Sequence, residues 1–245
     1  MKSIHQHKGF TLTELLVVIL IIVVLASLSF SVLSRMRNSA DKVVVTRNLA
    51  QLQLANIAYA TDHNGRFVPV RAFDEKGSSY AAWFQNQDFM DNLKGYSADP
   101  LPNGKVDSTL PPGMLDPAAF RAKKKNNLSI AASYGYNSEG QPNTGGWSSP
   151  GSTSFFRMDQ LTAPARSAAF LTATDWQAKY SGRFLWKGAA AVEGGTPDGK
   201  IAYRYNKKAI VAYYDGHVGE VGMDDMKRFD QTGGVGSLFW DADAK

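Results

Sequence analysis

The chain has 245 residues, with 27 Lys and Arg against 22 Asp and Glu for a formal charge of +5, and no cysteine. The missing cysteines exclude a disulfide-stapled fold, a thiolate zinc site, an iron–sulfur cluster and a cysteine nucleophile. They do not exclude export, because a domain of this size buries enough apolar surface to stand without staples.

The amino-terminal element is the most uneven part of the sequence. Leu15 to Leu33 read LLVVILIIVVLASLSFSVL, nineteen positions without a charge, which is long enough to cross a bilayer once. Nothing downstream is comparably apolar, so a single pass is expected. Lys2 and Lys8, with His5 and His7, precede the run. Lys and Arg are retained on the cytoplasmic side, which predicts a carboxy-terminal part outside the cytoplasm. A secretory signal peptide competes with this reading, but its apolar core is shorter and its cleavage site lies behind that core. Here the processing-like signal lies in front.

That signal is Lys8-Gly9-Phe10-Thr11-Leu12-Thr13-Glu14-Leu15-Leu16-Val17. It resembles the amino terminus of the type IV pilin family, in which a short basic leader ends in glycine and the mature chain begins with phenylalanine and carries glutamate at its fifth position. The resemblance implies cleavage between Gly9 and Phe10 by a prepilin peptidase, followed by N-methylation of Phe10. Glu14 has a physical argument of its own. A carboxylate in a membrane helix costs about 2.5 to 3.5 kcal/mol near the bilayer centre, which makes an intramembrane acid a functional feature by default. Cleavage would create a new ammonium on Phe10, and in a bundle of such helices it would pair with Glu14 of a neighbour and fix the axial register. The bland alternative leaves Glu14 snorkelling at the interface.

Beyond Leu33 the helical pattern turns amphipathic, with Val45, Leu49, Leu52 and Tyr59 on one face and Arg47, Asn48 and Gln51 expected to stay wet. Asn64-Gly65 is the first good terminator. A single helix from about Thr11 to Thr61 would be roughly 75 Å long. The stretch Asn48 to Tyr59 followed by Asp62 to Phe67 is similar to the helix end of large pilin-like proteins. After Phe67 short apolar runs alternate with Gly, Pro, Asn and Ser, the signature of strands and loops. Ser167–Thr172 and Ala209–Tyr214 are the best strand candidates, and Asp215-Gly216 followed by Val218–Val221 predicts a hairpin whose two central residues both need positive φ. The expected fold is α+β and pilin-like, a long helix with a membrane half and an amphipathic half packed on an antiparallel sheet. The domain boundaries are a leader at 1–9, a transmembrane assembly helix at 10–34, its amphipathic continuation at 35–64 and a β-rich head at 65–245.

Tyr213-Tyr214-Asp215-Gly216-His217-Val218 also resembles the carboxy-terminal signature of a planctomycete-type pilin-like subgroup. That subgroup places a histidine ten residues before the aspartate, where this chain has Tyr205, so the match is partial. Few residues suggest chemistry. After leader removal His63 and His217 are the only histidines, and neither has metal-ligand spacing. No HExxH, phosphate loop or nucleophile elbow occurs, and no enzyme, cofactor or metal is expected. Acids gather at Asp224, Asp225, Asp230, Asp241 and Asp243, but without EF-hand spacing, and Asp224-Asp225 reads equally well as a helix start. Lys123-Lys124-Lys125-Asn126 is the densest basic run. Loss of Lys2 and Lys8 takes the formal charge from +5 to +3, so nucleic acid is not an expected partner. The segment Asn137–Ser154, with Gly145-Gly146-Trp147, reads as a long insertion offering one aromatic.

The functional expectation is a structural subunit of a type IV pilus-like or type II secretion pseudopilus filament. It would be processed at Gly9/Phe10 and assembled through its helix with itself and other pilin-like subunits. Its further partners would be the prepilin peptidase/methyltransferase and an inner-membrane assembly platform, with the head in the periplasm. Absence of cysteine departs from pilins that close a carboxy-terminal disulfide loop and favours the pseudopilin side. Two alternatives come from other classes: a single-pass, membrane-anchored periplasmic ligand- or glycan-binding protein that does not polymerise, and an anchored hydrolase, for which no sequence feature nominates a residue.

Overall fold

A computed structural model describes residues 10–73, 80–93, 112–123, 133–141, 143–144, 153–188 and 199–244. In chain order the main elements are α1 (Leu12–Asp62), β1 (Arg71–Phe73), β2 (Tyr80–Ala82), α2 (Gln87–Asp91), α3 (Pro117–Lys123), β3 (Tyr134–Asn137), β4 (Asn143–Thr144), β5 (Thr153–Ser154), β6 (Ala168–Thr172), β7 (Gln177–Ala178), β8 (Lys208–Tyr213), β9 (Val218–Gly222) and α4 (Met223–Gln231). The chain divides into two compact units, Met1–Ala40 and Asp41–Lys245, and α1 contributes to both. This is the α+β, long-helix fold that the sequence predicts.

In the first unit the apolar side chains of α1 from Leu12 to Leu33 are exposed wherever described. The helix is long and apolar enough to cross a membrane. Its hydroxyls are satisfied locally: Ser27 Oγ donates to the Val24 carbonyl and Ser29 Oγ to that of Leu25, both at 2.8 Å. Polar groups in lipid require such internal partners.

In the second unit a five-stranded sheet, ordered β7-β3-β6-β8-β9, separates two apolar clusters. Along β8, Ile210 and Ala212 join the cluster containing Val45, Leu49 and Leu52 of α1, whereas Ala209 and Val211 join the one containing Met226 of α4, Phe239 and Trp240. A strand buried on both faces has no need of polar alternation, which is why AIVAYY is apolar throughout. On β6, Ala169 and Phe170 are consecutive yet fall in the same cluster. The register against β8 shifts between Ala168 and Phe170, and the extra residue of a bulge has this effect. The pairs are antiparallel except β3 with β7, which is parallel. A smaller sheet, ordered β2-β1-β5-β4, is built from strands too short to announce a period.

The end of α1 follows from its terminator. Asn64 and Gly65 take φ of 55° and 78°, and the Gly65 N–H reaches back to the Ala60 carbonyl at 2.8 Å, satisfying a carbonyl the helix would otherwise orphan. The amphipathic face departs from expectation at Asn48, which is buried at 3% exposure, with Gln53 and Asn56 fully buried. Arg47 does face solvent. Asn48 Nδ2 donates to the Gly113 carbonyl and the Tyr134 hydroxyl, both at 3.1 Å. Gln53 Nε2 donates to the Tyr214 carbonyl at 2.9 Å, and Asn56 Oδ1 accepts the Val68 N–H at 3.0 Å. These amides lie on the packed face because the surface opposite supplies polar partners, a condition that hydrophobic periodicity does not encode.

Among the described carboxylates the most buried is Asp116. Its Oδ2 pairs with Arg204 Nη1 at 2.9 Å, both side chains being 0% exposed. Its Oδ1 accepts the Tyr205 hydroxyl at 2.7 Å and the Ala118 N–H at 2.8 Å, capping α3. Burial, then the Asp116 charge, pushes the Tyr205 hydroxyl far above its ordinary value, so it remains a donor. Removing one partner of a buried pair leaves a charge uncompensated. Arg204→Met is therefore expected to lower the unfolding free energy of the full chain by about 3 to 5 kcal/mol in urea titrations, and a loss below about 1 kcal/mol would contradict the assigned burial.

Asp41 and Lys42 of α1 are tied to the same unit, Asp41 to Arg121 and Lys42 to Glu220, with Lys208 Nζ 3.6 Å from the other Glu220 oxygen. The hydrogen bond from Lys42 holds the Glu220 carboxyl below its ordinary 4.5. A depressed folded pKa contributes stability that is complete above the unfolded value and disappears as pH falls through the folded one. Melting temperature should therefore decline as pH drops below 4.5, and Glu220→Gln should flatten that acid limb while changing little at pH 7.

Candidate functional site

The residues singled out at the amino terminus occupy the start of α1. Phe10 is 79% exposed and precedes the helix; Gly9 lies outside the described residues, as do Lys2, Lys8, His5 and His7. Thr11 stands at the N-cap, Leu12 is the first helical residue, and Glu14 falls at the third helical position. Glu14 Oε2 accepts the Thr11 N–H at 2.8 Å and the Thr11 hydroxyl at 2.7 Å, while Thr11 Oγ1 accepts the Glu14 N–H at 3.3 Å. This reciprocal arrangement is a capping box, in which an N-cap Ser or Thr and a Glu three residues later satisfy one another's backbone donors. The bonds use Oε2; Oε1 has no partner among the described residues. Reading Glu14 as a register charge overlooks this second duty, although Thr11-Leu12-Thr13-Glu14 displays the pattern openly.

Asp215 and Gly216 lie in the connection from β8 to β9. The turn closes with the Gly216 N–H on the Tyr213 carbonyl at 2.9 Å, and only Gly216 has positive φ, at 98°. The reading that both residues need positive φ is thus corrected. A longer loop asks for one left-handed residue after its turn, not two. The two-residue connection is found at Asn206-Lys207, with φ of 52° and 62°, closed by reciprocal backbone bonds between Tyr205 and Lys208 at 2.9 and 3.2 Å. Asn is the only signal there, since Lys rarely takes that conformation. Tyr205, which replaces the histidine of the resembled subgroup, is a buried partner of Asp116.

The other candidates have structural partners. His63 bridges the Tyr59 carbonyl at 2.8 Å and Asp88 at 3.2 Å. His217 Nδ1 lies 2.6 Å from Asp215 Oδ1. Asp224, Asp225 and Asp230 are engaged by Lys227, Arg228 and Arg183 respectively, and Asp225 also accepts the Gly222 N–H at 2.7 Å, starting α4. Among the described residues no group of three or more acids and histidines could hold a metal ion. Lys124, Lys125, Asn126, Gly145, Gly146 and Trp147 lie outside the described residues.

Residues 4–30 match the family model of the prokaryotic N-terminal methylation motif. The match covers this amino-terminal segment and supports a type IV pilin-like reading of it. The match indicates type IV pilin-like prepilin processing, and it implies a prepilin peptidase and other pilin-like subunits as partners. No curated protein and no solved structure matches the chain. At the start of α1 the cap predicts a measurable effect of its own. Thr11→Ala removes a hydroxyl whose loss from an N-cap costs about 1 kcal/mol, so amide exchange over the first turn of α1 in micelles should rise about fivefold. An unchanged rate would show that the capping box does not hold the helix start.

Proposed function

We propose that the chain is a structural filament subunit, a pseudopilin of a type II secretion-like machine or a minor pilin, and not an enzyme. The observation that carries this reading is the amino-terminal constellation: a methylation motif at residues 4–30 that takes in most of an exposed apolar stretch of helix α1, whose start is capped by Thr11 and Glu14. Cleavage between Gly9 and Phe10 frees an ammonium, and the secondary amine formed by N-methylation of Phe10 still carries a positive charge. Glu14 retains Oε1 for it while Oε2 holds the helix start. In a bundle of copies, the ammonium of one subunit then neutralises Glu14 of the next. Any other axial register leaves a carboxylate uncompensated among apolar side chains, which is costly.

The subunit would cross the inner membrane once with its head in the periplasm. Arg35 and Arg37 follow the span closely, so charge bias alone does not orient it. The orientation rests on the leader, whose removal belongs to a membrane peptidase. Exported partners would be other pilin-like subunits and an inner-membrane assembly platform.

Intact mass with amino-terminal fragmentation, on protein from its native membrane and from cells lacking the peptidase, tests processing. A chain beginning at N-methylated Phe10 only when the peptidase is present is the expected result, and a chain beginning at Met1 in both would overturn it. Glu14→Gln tests assembly separately. Its amide oxygen still accepts the Thr11 N–H, so the cap survives while the charge is lost. Filament incorporation should fall at least tenfold with processing intact, and normal incorporation would refute the register argument.

A further inference from the structure

Away from the amino terminus, the head carries a half-open cleft of about 220 Å3 between the β8–β9 hairpin and the carboxy-terminal segment. One wall is a continuous run of rings. Phe229 stacks on Phe239 with centroids 4.5 Å apart, Tyr213 meets the Phe239 ring edgewise at 6.3 Å, and His217 stacks on Tyr213 at 4.2 Å. Burial pushes the Tyr213 hydroxyl up to about 12, so this wall carries no phenolate. Ser237, 4% exposed, lines the same cleft, and its Oγ has no hydrogen-bond partner.

Arg166 lines the cleft too. Arg121, Arg157, Arg183, Arg204 and Arg228 each meet a carboxylate, whereas the Arg166 side chain, exposed like those of Arg35, Arg37 and Arg47, has no carboxylate, hydrogen-bond or ring partner among the described residues; of these four it is Arg166 that lines the cleft. The acids nearby are already engaged: Asp215 holds His217 and Asp230 holds Arg183. An unpaired guanidinium beside an aromatic wall is a site for a planar anion with an apolar body, because guanidinium matches a carboxylate in fork geometry. The volume sets the size. A cavity of about 150 Å3 takes benzene, so this one accommodates a phenyl ring with a short chain.

From this arrangement we infer that the Tyr213–Phe229–Phe239 cleft with Arg166 binds a carboxylate carried on a short aromatic or apolar body. The chemistry is shared by small aryl-alkyl acids and by the free carboxy terminus of a peptide ending in an apolar residue. The site goes beyond filament assembly and does not depend on it, since it uses none of residues 4–30. It gives the head a recognition role that either a filament subunit or an anchored protein can use.

Calorimetric titration of the full chain in nonionic detergent tests the inference, with 3-phenylpropionate, its neutral amide and acetate as probes. The acid should bind with a Kd near 1 mM or tighter, and the amide and acetate at least tenfold more weakly. Arg166→Gln, an exposed position, should leave the melting temperature unchanged and weaken the acid at least tenfold. Equal binding of acid and amide, an undiminished Arg166→Gln variant, or no heat with the acid would overturn the site. Acetyl-Ala-Ala-Phe as free acid and as amide then identifies the source. A free-acid peptide at least tenfold tighter than 3-phenylpropionate assigns the cleft to a chain terminus, and a weaker one assigns it to small acids; both support the carboxylate assignment.

Discussion

The head depends on one carboxylate that has been taken out of water. Asp116 is fully buried, and a carboxyl group is tolerated there only because each of its oxygens has a donor. Arg204 neutralises it, Tyr205 and the first turn of α3 complete its coordination, and its own N–H is taken by Ser133. Those partners come from the segment before β3, from the turn leading into β8 and from α3. Satisfying one group therefore places three parts of the chain relative to one another. The neighbouring carbonyls of Gly113 and Leu115 accept from Asn48, which draws the amphipathic half of α1 into the same arrangement. Hydrophobic burial supplies most of the driving force, but it is tolerant of sliding. A hydrogen-bonded polar cluster is not, because a shift leaves a paired donor or acceptor empty.

This division explains which features the sequence displays. The helix, its Asn64-Gly65 terminator and strands β6, β8 and β9 are readable because each obeys a local rule of period or turn chemistry. Asn48 is misread as wet because its type is polar and its partners lie 65 and 86 residues away. The Asp116–Arg204 pair is separated by 88 residues, and no spacing rule links them. The smaller sheet escapes for another reason: strands of two or three residues contain too few positions to show alternation. Asn206-Lys207 hides a tight turn because lysine is an unusual residue at positive φ, tolerated where the flanking strands impose the geometry.

The amino terminus is legible in the opposite manner, because nearly everything about it is local. The leader motif, the apolar run and the capping box each occupy consecutive residues. Within α1 the character changes sharply near Asp41, where ion pairs to Arg121 and Glu220 begin. On one side of that point Ser27 and Ser29 satisfy their hydroxyls against their own backbone. On the other side the helix relies on partners from the sheet.

The same contrast accounts for where likeness to known proteins stops. Residues 4–30 carry the methylation motif, which answers to processing machinery outside the chain, and such an agent constrains individual positions. The remainder answers mainly to itself. A core of correct volume and pattern can be written in many ways, and here its main buried polar groups are paired by an idiosyncratic set: Asp116 with Arg204 and Tyr205, and the amides of Asn48, Gln53 and Asn56 with Tyr134, Tyr214 and Val68. The head's working surface is then defined by what the internal bookkeeping leaves over. Arg166 is such a remainder, a guanidinium with no carboxylate partner among the described residues, set beside the half-buried rings of Tyr213 and Phe229.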